Sequence, residues 1–152
     1  MKLLPGRLLL ASGNAHKLRE IREILAPFSL AVVAPHDVDY VPNVVEDGDT
    51  FEANAIKKAR AGLVATGLPT LADDSGIEAR ALNWRPGVIS ARYAGEPCDD
   101  GANNRKLCAE LATHSDRYVR YRCVIALARA DEPDVTWSGT FPGLHIATPR
   151  GV

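Results

Sequence analysis

Short apolar runs alternate with amphipathic stretches through the first half of the chain, and strand-like runs dominate the second half. Arg7–Ser12 ends in small residues and reads as a buried strand. Across Ala15–Ala26, Leu18, Ile21 and Leu25 recur at helical spacing, while Lys17, Arg19, Glu20, Arg22 and Glu23 take the remaining positions. Leu30–Ala34 is a second short strand. Asp49-x-x-Glu52 reads as a capping box with Asp49 as the cap, opening a helix over Thr50–Thr66 that Gly67 closes. Its apolar face is Phe51, Ala55, Ala59 and Leu63. Pro69–Ala72 is again a strand, running into Asp73-Asp74-Ser75-Gly76, and Asp100–Ala112 is a third helix. In Tyr118–Ala130 the residues Val119, Tyr121, Cys123, Ile125 and Leu127 alternate with Arg120, Arg122, Val124 and Ala126, the period of a strand. Val135–Phe141 and Leu144–Ala147 read as a hairpin joined at Pro142-Gly143. This order predicts an α/β fold with a mixed sheet and flanking helices.

Composition narrows the function classes. A chain of 152 residues with 46% hydrophobic residues is enough for one core-bearing domain, without repeats or linkers. Eighteen Lys+Arg against 19 Asp+Glu leave a net charge of −1, which gives no footprint for non-specific nucleic-acid or membrane binding. Arg117, Arg120, Tyr121 and Arg122 cluster without any nucleic-acid motif around them and read as one polar strand face. No apolar run approaches the ~20 residues of a membrane span. Pro5, Gly6 and Arg7 interrupt the apolar start, so no signal peptide is expected. Cys98, Cys108 and Cys123 form no C-x-x-C pair. They read as small apolar residues in a reducing, cytoplasmic setting, with neither zinc nor disulfides. His16, His36, His114 and His145 show no metal-ligand spacing and read as surface or loop residues.

Three segments can carry chemistry. Ser12-Gly13-Asn14-Ala15-His16-Lys17 sits where a strand gives way to a helix. Unpaired N–H groups and the positive helix end make such a place favourable for phosphate, and Lys17 adds a charge one turn in. Its plain alternative is an ordinary strand–turn–helix capped by Asn14. Asp73 and Asp74 lie at a strand end, where open α/β sheets bind ligands, and strand alternation sends them to opposite faces. Magnesium takes one or two carboxylates and completes its shell with water and phosphate oxygens. The alternative is a turn held by local Asx bonds. The acidic run Glu46-Asp47-Gly48-Asp49 leads into Asn54 and Lys58, which share a helix face four residues apart. Helix capping beside a solvated lysine would explain that segment as well.

Taken together the segments resemble the inosine triphosphate pyrophosphatase family, the dITP/XTP pyrophosphatases that remove noncanonical purine nucleotides. Ser12, Asn14 and Lys17 match an opening S/T-x-N-x-x-K, and Glu46 to Ala59 resembles E-x-G-x-T-F-x-x-N-A-x-x-K-A. Ala72-Asp73-Asp74-Ser75-Gly76 resembles A-D-D-S-G, and Pro86 to Tyr93 resembles P-G-x-x-S-A-R-Y/F. Asn83-Trp84 stands where members usually carry Gly-Gly, which implies a differently shaped loop. Pro149-Arg150-Gly151 is similar to the tripeptide before the family's G-F-G-Y-D-P segment. That segment and a later S-H-R motif, which help hold the base, are not in these 152 residues.

The resemblance implies an elongated fold of two lobes around a nucleotide cleft, paired as a homodimer. It implies Mg²⁺-dependent hydrolysis of ITP, dITP or XTP to the monophosphate and pyrophosphate. Ser12, Gly13, Asn14, Ala15, His16 and Lys17 would form the triphosphate loop, with Lys58 and Ser75 as further substrate contacts. Glu46 and Asp74 would hold the metal, and Asp74 would also be the base acting on water. Two rival readings are a nucleotide-binding remnant without turnover and a related pyrophosphatase of different base preference.

Overall fold

The triplet Leu8-Leu9-Leu10 is buried on both sides, and that double burial organises the first part of the chain. The computed structural model describes residues 6–148 and 150. Within them the strands are β1 (Arg7–Leu10), β2 (Ala31–Val33), β3 (Thr70–Ala79), β4 (Arg85–Pro86), β5 (Tyr118–Ala128) and β6 (Val135–Leu144). The helices are α1 (Ala15–Leu25), α2 (Phe51–Thr66) and α3 (Asp100–Leu111). The sheet order is β2-β1-β3-β5-β6, with β4 paired to β3. The pairs β1–β2 and β1–β3 are parallel, and β3–β4 is antiparallel. The mixed α/β sheet expected from the sequence is therefore present. Among the described residues no helix is long and apolar enough to cross a membrane.

The chain divides into two units, residues 1–74 with 124–137, and residues 75–123 with 138–152. In the first, Leu8, Leu10, Val32, Leu71 and Leu127 form one apolar cluster with Leu18, Ile21 and Leu25 of α1 packed on it. These three are the predicted helical stripe. Leu9 points the other way, towards α2. A Cβ on Gly62 of α2 would lie 3.1 Å from Leu9 Cδ2 and 2.7 Å from Thr70 Cγ2, so the glycine lets that helix approach the sheet closely. Fully buried Ala55 and Ala59 extend the same small-residue face. The two helices thus cover opposite faces of β1. Right-handed crossovers that leave β1 for β2 and then return past it to β3 require that arrangement.

In the second unit Ala79, Leu82, Tyr93, Leu107, Leu111 and Val119 form the core. Ser90 ties the chain after β4 to β3: its hydroxyl donates to the Gly87 carbonyl at 2.6 Å and accepts from Ile77 N–H at 2.9 Å. Gly76 lies against this contact, and a Cβ there would come within 2.5 Å of the Gly87 carbonyl oxygen. Asn83 and Trp84 take φ values of 53° and 66°, the left-handed region that glycine enters without cost. Non-glycine residues there cost on the order of 1 kcal/mol each. The Trp84 ring recovers contact by lying under the Arg120 guanidinium at 4.1 Å and edge-on to Tyr118 at 6.2 Å.

Several expectations are corrected. Thr50, not Asp49, caps α2: its hydroxyl accepts from Ala53 N–H at 3.1 Å, so the helix starts one residue later. β3 does not end at Ala72 but continues to Ala79, because it runs between β1 and β5 in the sheet, with β4 paired to its far end. Val135–Leu144 is one strand rather than the first arm of a hairpin. It is last in the sheet order, and an edge strand tolerates Pro142 because no ladder bond is required of its nitrogen. Tyr121 is 49% exposed, so β5 does not bury the simple alternating face predicted for it. Cys98 is exposed rather than apolar filler, and half-buried His145 sets Nε2 3.3 Å from Cys108 Sγ. Residues 1–5, Pro149, Gly151 and Val152 lie outside the described residues, and with them most of the Pro149-Arg150-Gly151 match.

The Tyr93 hydroxyl donates to the Glu110 carboxylate. Burial, and then that carboxylate, push the phenol up from 10 to about 12. The neutral phenol therefore contributes fully below pH 10, and its contribution is lost as pH rises through about 12. Urea midpoints measured across that window should fall with a shallower slope for Tyr93→Phe than for the parent chain.

Candidate functional site

The carboxyl end of β1 lies beside the first residues of β3. Ala11 N–H donates to the Leu71 carbonyl at 2.8 Å, and Leu10 pairs with Leu71. Parallel pairing thus brings the loop after β1 level with Asp73 and Asp74. From this edge the chain leaves β1 towards β2 on one side, while β3 neighbours β1 on the other. In open α/β sheets such a reversal of strand order leaves a crevice for ligands.

The loop is ordered by its own side chains. Asn14 caps α1, its Oδ1 accepting from His16 N–H at 2.9 Å and Lys17 N–H at 3.3 Å. Ser12 Oγ accepts from Asn14 N–H at 3.2 Å. Three backbone donors expected for phosphate are thus engaged within the loop, so an anion there must replace the cap's bonds. The loop also walls a surface depression of about 310 Å³ shared with Pro35 and Tyr40. A Cβ on Gly13 would meet no protein atom within 4 Å, so Gly13 keeps that front open rather than relieving a clash. Ala15 and His16 are exposed at the helix start. His16 turns to Arg19, with Nδ1 3.3 Å from the guanidinium.

Alternation along β3 separates the two aspartates as expected. Asp73 follows Leu71 to the α1 side, where Lys17 Nζ lies 2.6 Å from its Oδ2. Asp74 follows Ala72 to the α2 side and is 6% exposed. There Asn54 Nδ2 donates to Asp74 Oδ2 at 2.9 Å. The Asn54 amide is itself inaccessible and spans two elements, since its Oδ1 accepts from Gly48 N–H at 2.8 Å. A Cβ on Gly48 would sit 2.6 Å from that oxygen, so the acidic loop needs glycine to come this close. One turn along α2, Lys58 Nζ lies 2.6 Å from Glu46 Oε1. Asp47 pairs with Lys57 at 2.6 Å. The loop is thereby fastened to α2 at consecutive positions.

One face of α2 therefore brings Glu46, Lys58 and Asp74 into one neighbourhood, with Asn54 between them. The sequence offers Asn54 as the partner of Lys58 on a helix face and as the Asn of the matched motif, and the tie to Asp74 is a long-range contact that spacing does not show. Ser75 belongs to the second unit, where its Oγ lies 2.7 Å from the Tyr121 hydroxyl. The sequence offers Tyr121 as one of the alternating residues of β5 and as part of a polar strand face, not as a partner of Ser75. Among the described residues no group of three or more His, Cys, Asp or Glu is placed to hold a metal. Two hard carboxylates are present, and Mg²⁺ needs no more from the protein when phosphate and water complete its shell. In donor chemistry, the carboxylates of Glu46 and Asp74 suit that cation.

These elements define an α/β protein with a helix-capping loop after β1 and, on β3 and α2, carboxylates paired with two lysines. A sequence profile of the Ham1 family matches residues 8–152. A dITP/XTP pyrophosphatase of Geobacter sulfurreducens is 46% identical over 147 residues, covering 95% of this chain and 74% of that protein. One from Syntrophobacter fumaroxidans is 46% identical, covering 95% of this chain and 62% of its own length. A solved HAM1 protein from Coxiella burnetii superposes with a TM-score of 0.88 at 40% identity, covering 95% of this chain and 75% of that one. The chain belongs to the Ham1 family.

Asn54→Ala removes the amide that joins Asp74 to the Gly48 loop and leaves a buried carboxylate short of a donor. Such losses cost about 1–3 kcal/mol. The urea midpoint should fall accordingly, whereas Asp47→Asn, at an exposed pair, should leave it nearly unchanged.

Proposed function

We propose that this chain hydrolyses nucleoside triphosphates bearing noncanonical purines (ITP, dITP and XTP) to the monophosphate and pyrophosphate. The observation that carries the reading is a set of contacts linking the loop after β1, the start of β3 and α2: Lys17 with Asp73, Asn54 with buried Asp74, and Lys58 with Glu46. The printed names of the relatives, dITP/XTP pyrophosphatase, point to the same reaction.

A triphosphate brings about four negative charges, and its hydrolysis depends on positioning and charge neutralisation more than on covalent chemistry. In this reading Ser12, Gly13, Asn14, Ala15, His16 and Lys17 receive the phosphates, with Lys58 as a second cation. Ser75 contributes a hydroxyl to the substrate. Asp74 accepts the proton of the attacking water as the water oxygen bonds to the α-phosphorus. The bond from that phosphorus to the bridging oxygen then breaks, and pyrophosphate leaves beside the lysines. Asn54 fixes the orientation of the Asp74 carboxylate by donating to one of its oxygens. Glu46 and Asp74 would hold Mg²⁺, which when bound supplies phosphate neutralisation and makes water more acidic. A homodimer in a reducing, cytoplasmic compartment completes the proposal.

Pyrophosphate release from ITP, dITP, XTP, ATP and GTP, with and without Mg²⁺, tests the reading. Turnover of ITP and XTP well above ATP and GTP, and only with the metal, is the expected result. Equal rates for ATP and ITP would overturn the base preference. Binding of all five without turnover would overturn the enzymatic role. Asp74→Asn should lower kcat by about 10²-fold or more, the usual worth of a positioned base, while keeping a cooperative urea transition. A kcat within a few-fold of the parent would remove Asp74 from the chemistry.

A further inference from the structure

The two lysines assigned to phosphate are both held by carboxylates. Lys58 Nζ lies 2.6 Å from Glu46 Oε1, and Lys17 Nζ lies 2.6 Å from Asp73 Oδ2. Each lysine must leave a carboxylate to reach a polyphosphate.

The Glu46–Lys58 pair is built differently from its neighbour. Its side chains are 33% and 19% exposed, against 66% and 44% for Asp47 and Lys57. Water screens the outer pair, which contributes little. The inner pair is half desolvated, so stripping Glu46 from Lys58 costs more unless a new positive charge takes Glu46 at the same time. Glu46 is also on a loop that Gly48 and Asn54 fasten to α2, so it cannot simply drift away from the helix that carries Lys58.

We propose that Glu46 is a positioning residue that holds Lys58 in reserve, and that a divalent cation taking up the Glu46 carboxylate releases Lys58 to the polyphosphate. This rests on the reading of the site as a triphosphate site. Metal and nucleotide then bind cooperatively because they share one ion pair: the cation exchanges with the ammonium on Glu46, and the ammonium exchanges with Glu46 for phosphate oxygen. Coupling of this kind is reciprocal, so nucleotide strengthens cation binding by the same factor. Asp73 and Lys17 repeat the arrangement on the α1 side and give it a second arm.

Calorimetric titration of the full chain with ITP in EDTA reads this directly. Glu46→Gln should tighten metal-free ITP binding by about fivefold, the scale of one partly screened ion pair. Damage to the site would act in the opposite direction. Asp47→Asn makes the same charge change one residue away and should alter the affinity by less than about twofold, since its pair is exposed. In a Lys58→Met background the effect of Glu46→Gln should vanish, which separates release of Lys58 from mere loss of a negative charge. Asp73→Asn, alone and with Lys17→Met, gives an independent cycle with the same expected pattern. Mg²⁺ should strengthen ITP binding less in Glu46→Gln than in the parent.

A Glu46→Gln effect of equal size with and without Lys58, or no tightening at all, overturns the exchange while leaving the functional reading intact, provided that the parent binds ITP with Mg²⁺. Failure of the parent to bind ITP under any condition overturns that reading and the exchange with it.

Discussion

Parallel pairing of β1 with β3 is the constraint on which the site depends. Leu9 N–H donates to the Pro69 carbonyl at 2.9 Å and Ala11 N–H to the Leu71 carbonyl at 2.8 Å. These bonds set the register that puts the Ser12–Lys17 loop beside Asp73 and Asp74. A slip of one residue would turn every β3 side chain to the other face. Asp73 would lose Lys17, and Asp74 would leave Asn54 for the apolar surface under α1. The Leu8, Leu10 and Leu71 cluster resists that slip, because it too depends on which residues face α1. Apolar packing and the polar site are thus fixed by one alignment.

Helix α2 does the corresponding work on the other face. Its small residues, Ala55, Ala59 and Gly62, bring it close to the sheet, and the polar positions Asn54 and Lys58 then meet Asp74 of β3 and Glu46 of the preceding loop. Asn54 serves both sides at once, donating to Asp74 and accepting from Gly48. A neutral amide suits this place. It donates a hydrogen bond to a buried carboxyl group without adding a charge of its own. The lysines differ, since each compensates a carboxylate in the absence of a ligand. A site of this design is stable while empty and must exchange partners when filled.

The second unit shows how a fold accommodates an unfavourable backbone. Asn83 and Trp84 enter the left-handed region without being glycine. The Trp84 ring packs with Arg120, which pairs with Glu78, and with Tyr118, over which Arg80 lies at 4.7 Å. Arg80 pairs in turn with Asp116, holding that carboxyl down at about 2. The loop that the sequence marked as unusual is therefore held by a chain of rings and ion pairs.

Local pattern alone was enough for α1, α2, α3 and the first strands, because apolar spacing and caps act over a few residues. It also sufficed for the two directions of Asp73 and Asp74, since alternation is a property of the strand itself. It misjudges the length of β3, where Asp-Asp-Ser-Gly reads as a turn because the sequence does not show the neighbouring strands that extend it. It made Pro142-Gly143 a turn, because the sequence does not say that β6 ends the sheet. The residue types of the site were legible as motifs. Which carboxylate meets which cation was decided only by tertiary structure, because those contacts join residues 12 to 56 positions apart and follow from strand register and helix placement.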